Sequence, residues 1–171
     1  GEGASLKMLS GAGLAGSGSL SLGSVDGKQV GDHTGSIDLV TGSTIEGVSG
    51  QIRMVSGDSP SGIAGDITLG AGTGATGGSV KLSAGGSTSR DIVGGSVDVS
   101  SGAATGASGD ISVNTGVGST SGDISIATGT TIGGAAGEIS IVSGDGESSG
   151  GGVRIVAGTS RTLPGAAGAL V

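Results

Sequence analysis

The chain has one histidine, His33, and an acid, Asp32, precedes it directly. With serine so abundant, the pair invites comparison with a Ser–His–Asp relay, in which the imidazole takes the proton of a nucleophilic hydroxyl. Nothing in the spacing assembles such a relay, and an exposed loop histidine is the expectation. GAGLAG at 11–16 fits the pattern G-x-G-x-x-G and follows the strand-like LKML. A dinucleotide grip needs a helix to open there and turn its N-terminus toward the pyrophosphate. The residues that follow, GSGSLSLG, read as another strand. Among 43 glycines such a match is expected by chance.

The acids give the only candidates for a metal. Asp110, Asp123 and Glu138 occupy the same place in three successive repeats, and GDGESSGGG at 144–152 mixes acids with glycine. Carboxylates stacked about 5 Å apart repel unless screened or bridged by a cation. Calcium between repeats is therefore conceivable, but the β-roll signature G-G-x-G-x-D is absent. A solvated acidic stripe is the expectation, with no metal, no cofactor and no catalytic residue. Ice binding by a flat threonine face is also disfavoured, because no Thr-x-Thr column forms.

The elements that would position these residues come from one pattern. Glycine supplies 43 of 171 residues, and Phe, Trp, Tyr and Cys are absent. A thick core normally leans on aromatic area. Glycine- and serine-rich chains can be flexible linkers, but here the aliphatic residues are placed in order. The template is G-x-h-x-h-x-(S/T/A)-G, with h aliphatic. It reads GSIDLVTG at 35–42, GQIRMVSG at 50–57, GDITLGAG at 65–72, GSVKLSAG at 78–85 and GSVDVSSG at 95–102. GDISVNTG at 109–116, GDISIATG at 122–129, GEISIVSG at 137–144 and GGVRIVAG at 151–158 continue it. ASLKMLSG at 4–11 and GSLSLGSV at 18–25 are imperfect copies, and a twelfth begins at Gly168. Copies start 14, 17, 15, 15, 13, 17, 14, 13, 15, 14 and 17 residues apart.

Apolar residues two apart predict a strand with one buried face, and Ile and Val favour strands. The third inward position is always small: Ser10, Ser24, Thr41, Ser56, Ala71, Ala84, Ser101, Thr115, Thr128, Ser143 or Ala157. A tapering core edge would require that. The closing glycine suits a turn with positive φ. Spacer residues such as Val48, Ile63, Ala107 and Ala135 read as a short return strand placing one side chain back into the core. The predicted fold is all-β: a single array over 1–171, a narrow two-sided parallel β-solenoid of about 11 coils with a ~15-residue repeat. Its coils start near 4, 18, 35, 50, 65, 78, 95, 109, 122, 137 and 151, with a partial coil from 168. Facing charges on neighbouring coils, Asp38 with Arg53 and Lys81 with Asp98, are opposite in sign, as parallel stacking favours. An intertwined trimeric β-fibre would produce the same pattern.

The last outward position is aliphatic near both ends, at Leu9, Val40, Val55, Val142 and Val156. Cover by a spacer loop is one explanation; contact with neighbouring chains is the other, because exposed aliphatic columns are costly to leave wet. No capping turn is evident, and the first residue is not Met, so a processed chain or an excerpt of a longer array is expected. GALV at 168–171 would then complete a partner's first coil. The net charge is −7, with no basic patch. Nucleic acid, which requires clustered Lys or Arg, is not an expected partner. No apolar run approaches the ~20 residues that span a bilayer. NTG, at the lone Asn114, is not an N-glycosylation sequon, whereas the many Ser and Thr could carry O-linked sugars.

The template resembles the Gly/Ser/Thr-rich short repeats, G-x-V-x-(V/I)-x-(S/T)-G, of extracellular surface and fibre proteins of algae, other protists and phages. The likeness covers Ala4 to Val171 and includes no site residues. It implies a structural or adhesive role at the cell surface or outside it. The expected function is a subunit or segment of an extracellular filament that self-assembles end to end or laterally. A binding module, such as an adhesin stalk or a calcium- or ice-binding solenoid, is the alternative. An enzyme is not expected.

Overall fold

The computed structural model describes residues 3–14, 16–89, 92–159 and 168. The chain divides into two compact units, Gly1–Ser83 and Ala84–Val171. The division falls inside the copy at 78–85. Both units are built alike, from straight templates alternating with bent spacers.

The repeat map carries into the backbone. Spacers bend, for example at 45–47, 60–62, 74–76, 105–106, 118–120, 132–134 and 147–148, and the templates between them do not. Within a template, side chains two apart lie on one side, as an extended chain requires. Ser36 Oγ donates to Asp38 Oδ2 at 3.2 Å, and Ser96 Oγ to Asp98 Oδ2 at 3.2 Å. Asn114 Nδ2 donates to Ser112 Oγ at 2.9 Å.

The predicted parallel β-solenoid is not formed. The described residues contain no helix and no sheet, only isolated bridging such as the antiparallel pair Ala12 and Ser17. No described backbone hydrogen bond joins the interior of one template to the interior of another. The templates are extended but unpaired, because neighbouring templates meet at their ends rather than along their lengths. Alternation specifies which residues share a side; it does not supply the strand alongside.

The aliphatic ladder is therefore not a core. No described residue is buried, and both aliphatic side chains of each template are half or more exposed. Ile111 and Ile124, expected to stack, are 54% and 53% exposed. The expected return strand is absent too: Val48 and Ile63 are each 98% exposed. The chain exposes 16923 Å², where a compact protein of 15.5 kDa would expose about 7,200 Å². Two aliphatic side chains per repeat gain little against the cost of ordering so much glycine, the residue that loses most freedom on folding.

Glycine geometry also departs from expectation. Positive φ occurs in spacers, at Gly31 (+89°), Gly47 (+116°) and Gly133 (+87°). The closing glycines of the templates are not among them.

Candidate functional sites

What the residues do build is a recurrent junction between the end of one template and the start of the next. The opening glycine of a copy lies against the small residue of the copy before it. A side chain on Gly18 would meet Ser10 Cβ at 3.7 Å, on Gly78 Ala71 Cβ at 3.1 Å, and on Gly95 Ala84 Cβ at 3.4 Å. The same holds of Gly109 with Ser101 at 3.5 Å, Gly151 with Ser143 at 3.2 Å and Gly168 with Ala157 at 3.6 Å. At these six junctions the opening N–H donates to the closing carbonyl of the previous copy. The bonds run from Gly18 to Gly11 (2.8 Å), Gly78 to Gly72 (3.0 Å) and Gly95 to Gly85 (2.9 Å). They continue from Gly109 to Gly102 (3.0 Å), Gly151 to Gly144 (2.9 Å) and Gly168 to Gly158 (2.8 Å). Ser143 Oγ adds a bond to the Gly151 carbonyl at 3.0 Å.

The third small position is thus explained by its neighbour, not by a tapering core. Ser56, Ser143 and Ala157 are the half-covered residues of the described chain, and all three hold that position. Where the small residue is threonine, its methyl makes the contact. Thr41 Cγ2 faces Gly50 at 3.5 Å, Thr115 Cγ2 faces Gly122 at 3.8 Å, and Thr128 Cγ2 faces Gly137 at 3.4 Å. None of these three junctions has the glycine–glycine bond. The pairing of opening glycine with small residue was present in the sequence as a constant spacing, but it emerges only when the two positions are read together.

The residues singled out for chemistry are not assembled into a reaction centre. Asp32 Oδ2 accepts from the backbone N–H groups of Lys28 at 2.9 Å and Gln29 at 2.8 Å, and its own N–H donates to the Gln29 carbonyl at 3.2 Å. The carboxylate closes its own turn, and His33 is exposed beside it. GAGLAG forms a tight reversal, pinned by the Gly18–Gly11 bond, with no helix opening from it. Gly13 lies so close to the Gly16 carbonyl that a side chain there would come within 2.7 Å of the oxygen. In 144–152, Gly146 packs directly on the Ser149 carbonyl, a closed turn rather than an open acidic loop.

Among the described residues, no group of three or more His, Cys, Asp or Glu side chains is placed to hold a metal ion, so Asp110, Asp123 and Glu138 do not converge. No cavity is present among them either. No described helix is long and apolar enough to cross a membrane. Leu9, Val40, Val55, Val142 and Val156 are all exposed, without a spacer loop closing over them. Of GALV, only Gly168 is described; residues 169–171 lie outside the described residues. No family model matches the chain, and no curated protein or solved structure is detectably similar to it.

Proposed function

We propose that the chain is a structural segment of an extracellular fibre or surface layer and works by associating with itself. The carrying observation is that both aliphatic side chains of each template are half or more exposed. A repeated apolar surface of this extent is costly to leave in water and is relieved by association. The outward positions of the same templates carry Ser, Thr and sparse charge, which keeps the other side wettable. The extracellular setting rests on the likeness of the repeats to those of surface and fibre proteins. Exposed spacer hydroxyls are open to O-linked sugars.

Negative-stain electron microscopy and sedimentation of the purified chain over rising concentration test this reading. Long uniform fibres, with a critical concentration, are expected. Monomers at all concentrations, with or without added salt, would overturn it.

A further inference from the structure

The exposed faces leave open what covers them, and two observations narrow the choice. The first is area. The chain exposes 16923 Å², roughly 9,700 Å² above the figure for a compact protein of its mass. A standard interface buries about 1,600 Å² in total, so one globular partner would leave most of the excess wet. The occupant must be long and must repeat.

The second is spacing. Template starts are irregular, at 14, 17, 15, 15, 13, 17, 14, 13, 15, 14 and 17 residues apart. A regularly repeating partner would meet a few templates and then slip. A slip of one residue turns every aliphatic side chain to the wrong face. A second copy of this chain carries the same irregular series, and at zero offset it meets every template with its own counterpart. Shifted by one repeat, it sets a spacing of 14 against 17, then 17 against 15. The template interiors also have no backbone partners within the chain among the described residues, so N–H and C=O groups are free to bond to a neighbour.

We infer that the occupant of the aliphatic faces is further copies of this chain, laid side by side in parallel and at zero offset. This rests on the self-association proposed above and specifies its register. Ile111 then lies on Ile111 and Ile124 on Ile124 of the next chain, about 4.8 Å away. Zero offset also sets each charge beside its twin, including Asp110, Asp123 and Glu138. Like charges side by side oppose assembly, and salt screens them over about 30 Å at 0.01 M but only about 3 Å at 1 M. Assembly at zero offset is therefore accelerated by salt.

The chain has no cysteine, so one introduced thiol gives a unique label. Ser125→Cys, in the middle outward position of GDISIATG, is labelled with a nitroxide and assembled at full length, with Ser140→Cys as a second reporter on the next template. At zero offset, labels about 5 Å apart exchange spins, and the three-line spectrum collapses to a single line in both variants. Fibres that keep three resolved lines would overturn the register while leaving self-association standing. Spin exchange only in a mixture of Ser112→Cys and Ser125→Cys chains would assign a one-repeat offset instead and likewise overturn it. Absence of fibres would overturn self-association itself.

Discussion

Two spacers of equal length, 72–78 and 116–122, make the most direct comparison in the molecule. One lies in each unit. Both bend at their centres, at 74–76 and 118–120. Both turn tightly enough that a glycine faces a threonine carbonyl: Gly74 with Thr76 at 3.1 Å and Gly118 with Thr120 at 2.9 Å. Yet the first is closed by the Gly78–Gly72 bond, at 3.0 Å, and the second has no such bond. The residue before the closing glycine is Ala71 in one and Thr115 in the other. Gly78 sits 3.1 Å from Ala71 Cβ with Gly72 backbone at 3.4 Å, whereas Gly122 meets only Thr115 Cγ2, at 3.8 Å. One methyl holds the opening glycine away from the carbonyl it would otherwise reach. The other junctions agree: those built on Ala71, Ala84 and Ala157 are bonded, and those built on Thr41, Thr115 and Thr128 are not.

The severest way to break the closed member is to fill the space beside Ala71. Gly78→Val adds three carbons where the first would already be 3.1 Å from Ala71 Cβ. Overpacking of this kind costs about 1–3 kcal/mol. The scalar coupling across the hydrogen bond, from Gly78 N to Gly72 C′, should disappear, with amide exchange at 78 rising tenfold or more. Retention of that coupling would mean that the contact does not set the junction.

The reciprocal exchange of the small residues acts more gently. Ala71→Thr should abolish the Gly78–Gly72 bond, and Thr115→Ala should create one from Gly122 to Gly116. A net hydrogen bond of this type is worth about 0.5–1.5 kcal/mol, so amide exchange at 78 and at 122 should shift by up to about tenfold, in opposite directions. If both spacers keep their present state after the exchange, the cause lies in the spacer residues and not in the methyl.

This rule was only half legible in the sequence. Alternation correctly gave an extended chain, as the same-side contacts of Ser36 with Asp38 and of Ser96 with Asp98 attest. The spacer boundaries were legible too, because glycine brackets each template. Strand pairing was not, because alternation is equally compatible with a lone extended segment and with a ladder. Val48 and Ile63 were read as inward because they are aliphatic, but a side chain turns inward only where something lies opposite, and nothing does. The small third position was visible as a column and misread as a taper, because its partner is a glycine 8 to 11 residues downstream, as Ser10 is from Gly18 and Ala84 from Gly95. The turn around Asp32 was out of reach for a different reason: its bonds to two backbone N–H groups depend on spacer dihedrals that no periodicity encodes.

The two glycines that frame each template look equivalent in the sequence, and the last and smallest expected effect separates them. Gly72 has no heavy atom within 4 Å of the place where a side chain would begin, and it is not among the positive-φ glycines. The same open space surrounds Gly57, Gly85, Gly102 and Gly144. The bond to Gly78 uses the Gly72 carbonyl, which any residue supplies. Gly72→Ala should therefore leave the Gly78–Gly72 coupling intact. It should stabilise the junction slightly, by about 0.4–1 kcal/mol, because alanine has less freedom to lose from the unfolded chain. The measurement is amide exchange at 78 in Gly72→Ala against Gly78→Ala, the latter forcing contacts at 3.1 Å and 3.4 Å. Equal damage from both would mean that the closing glycine is held by a partner outside the single chain, and the neighbouring copy at zero offset would be the first place to look.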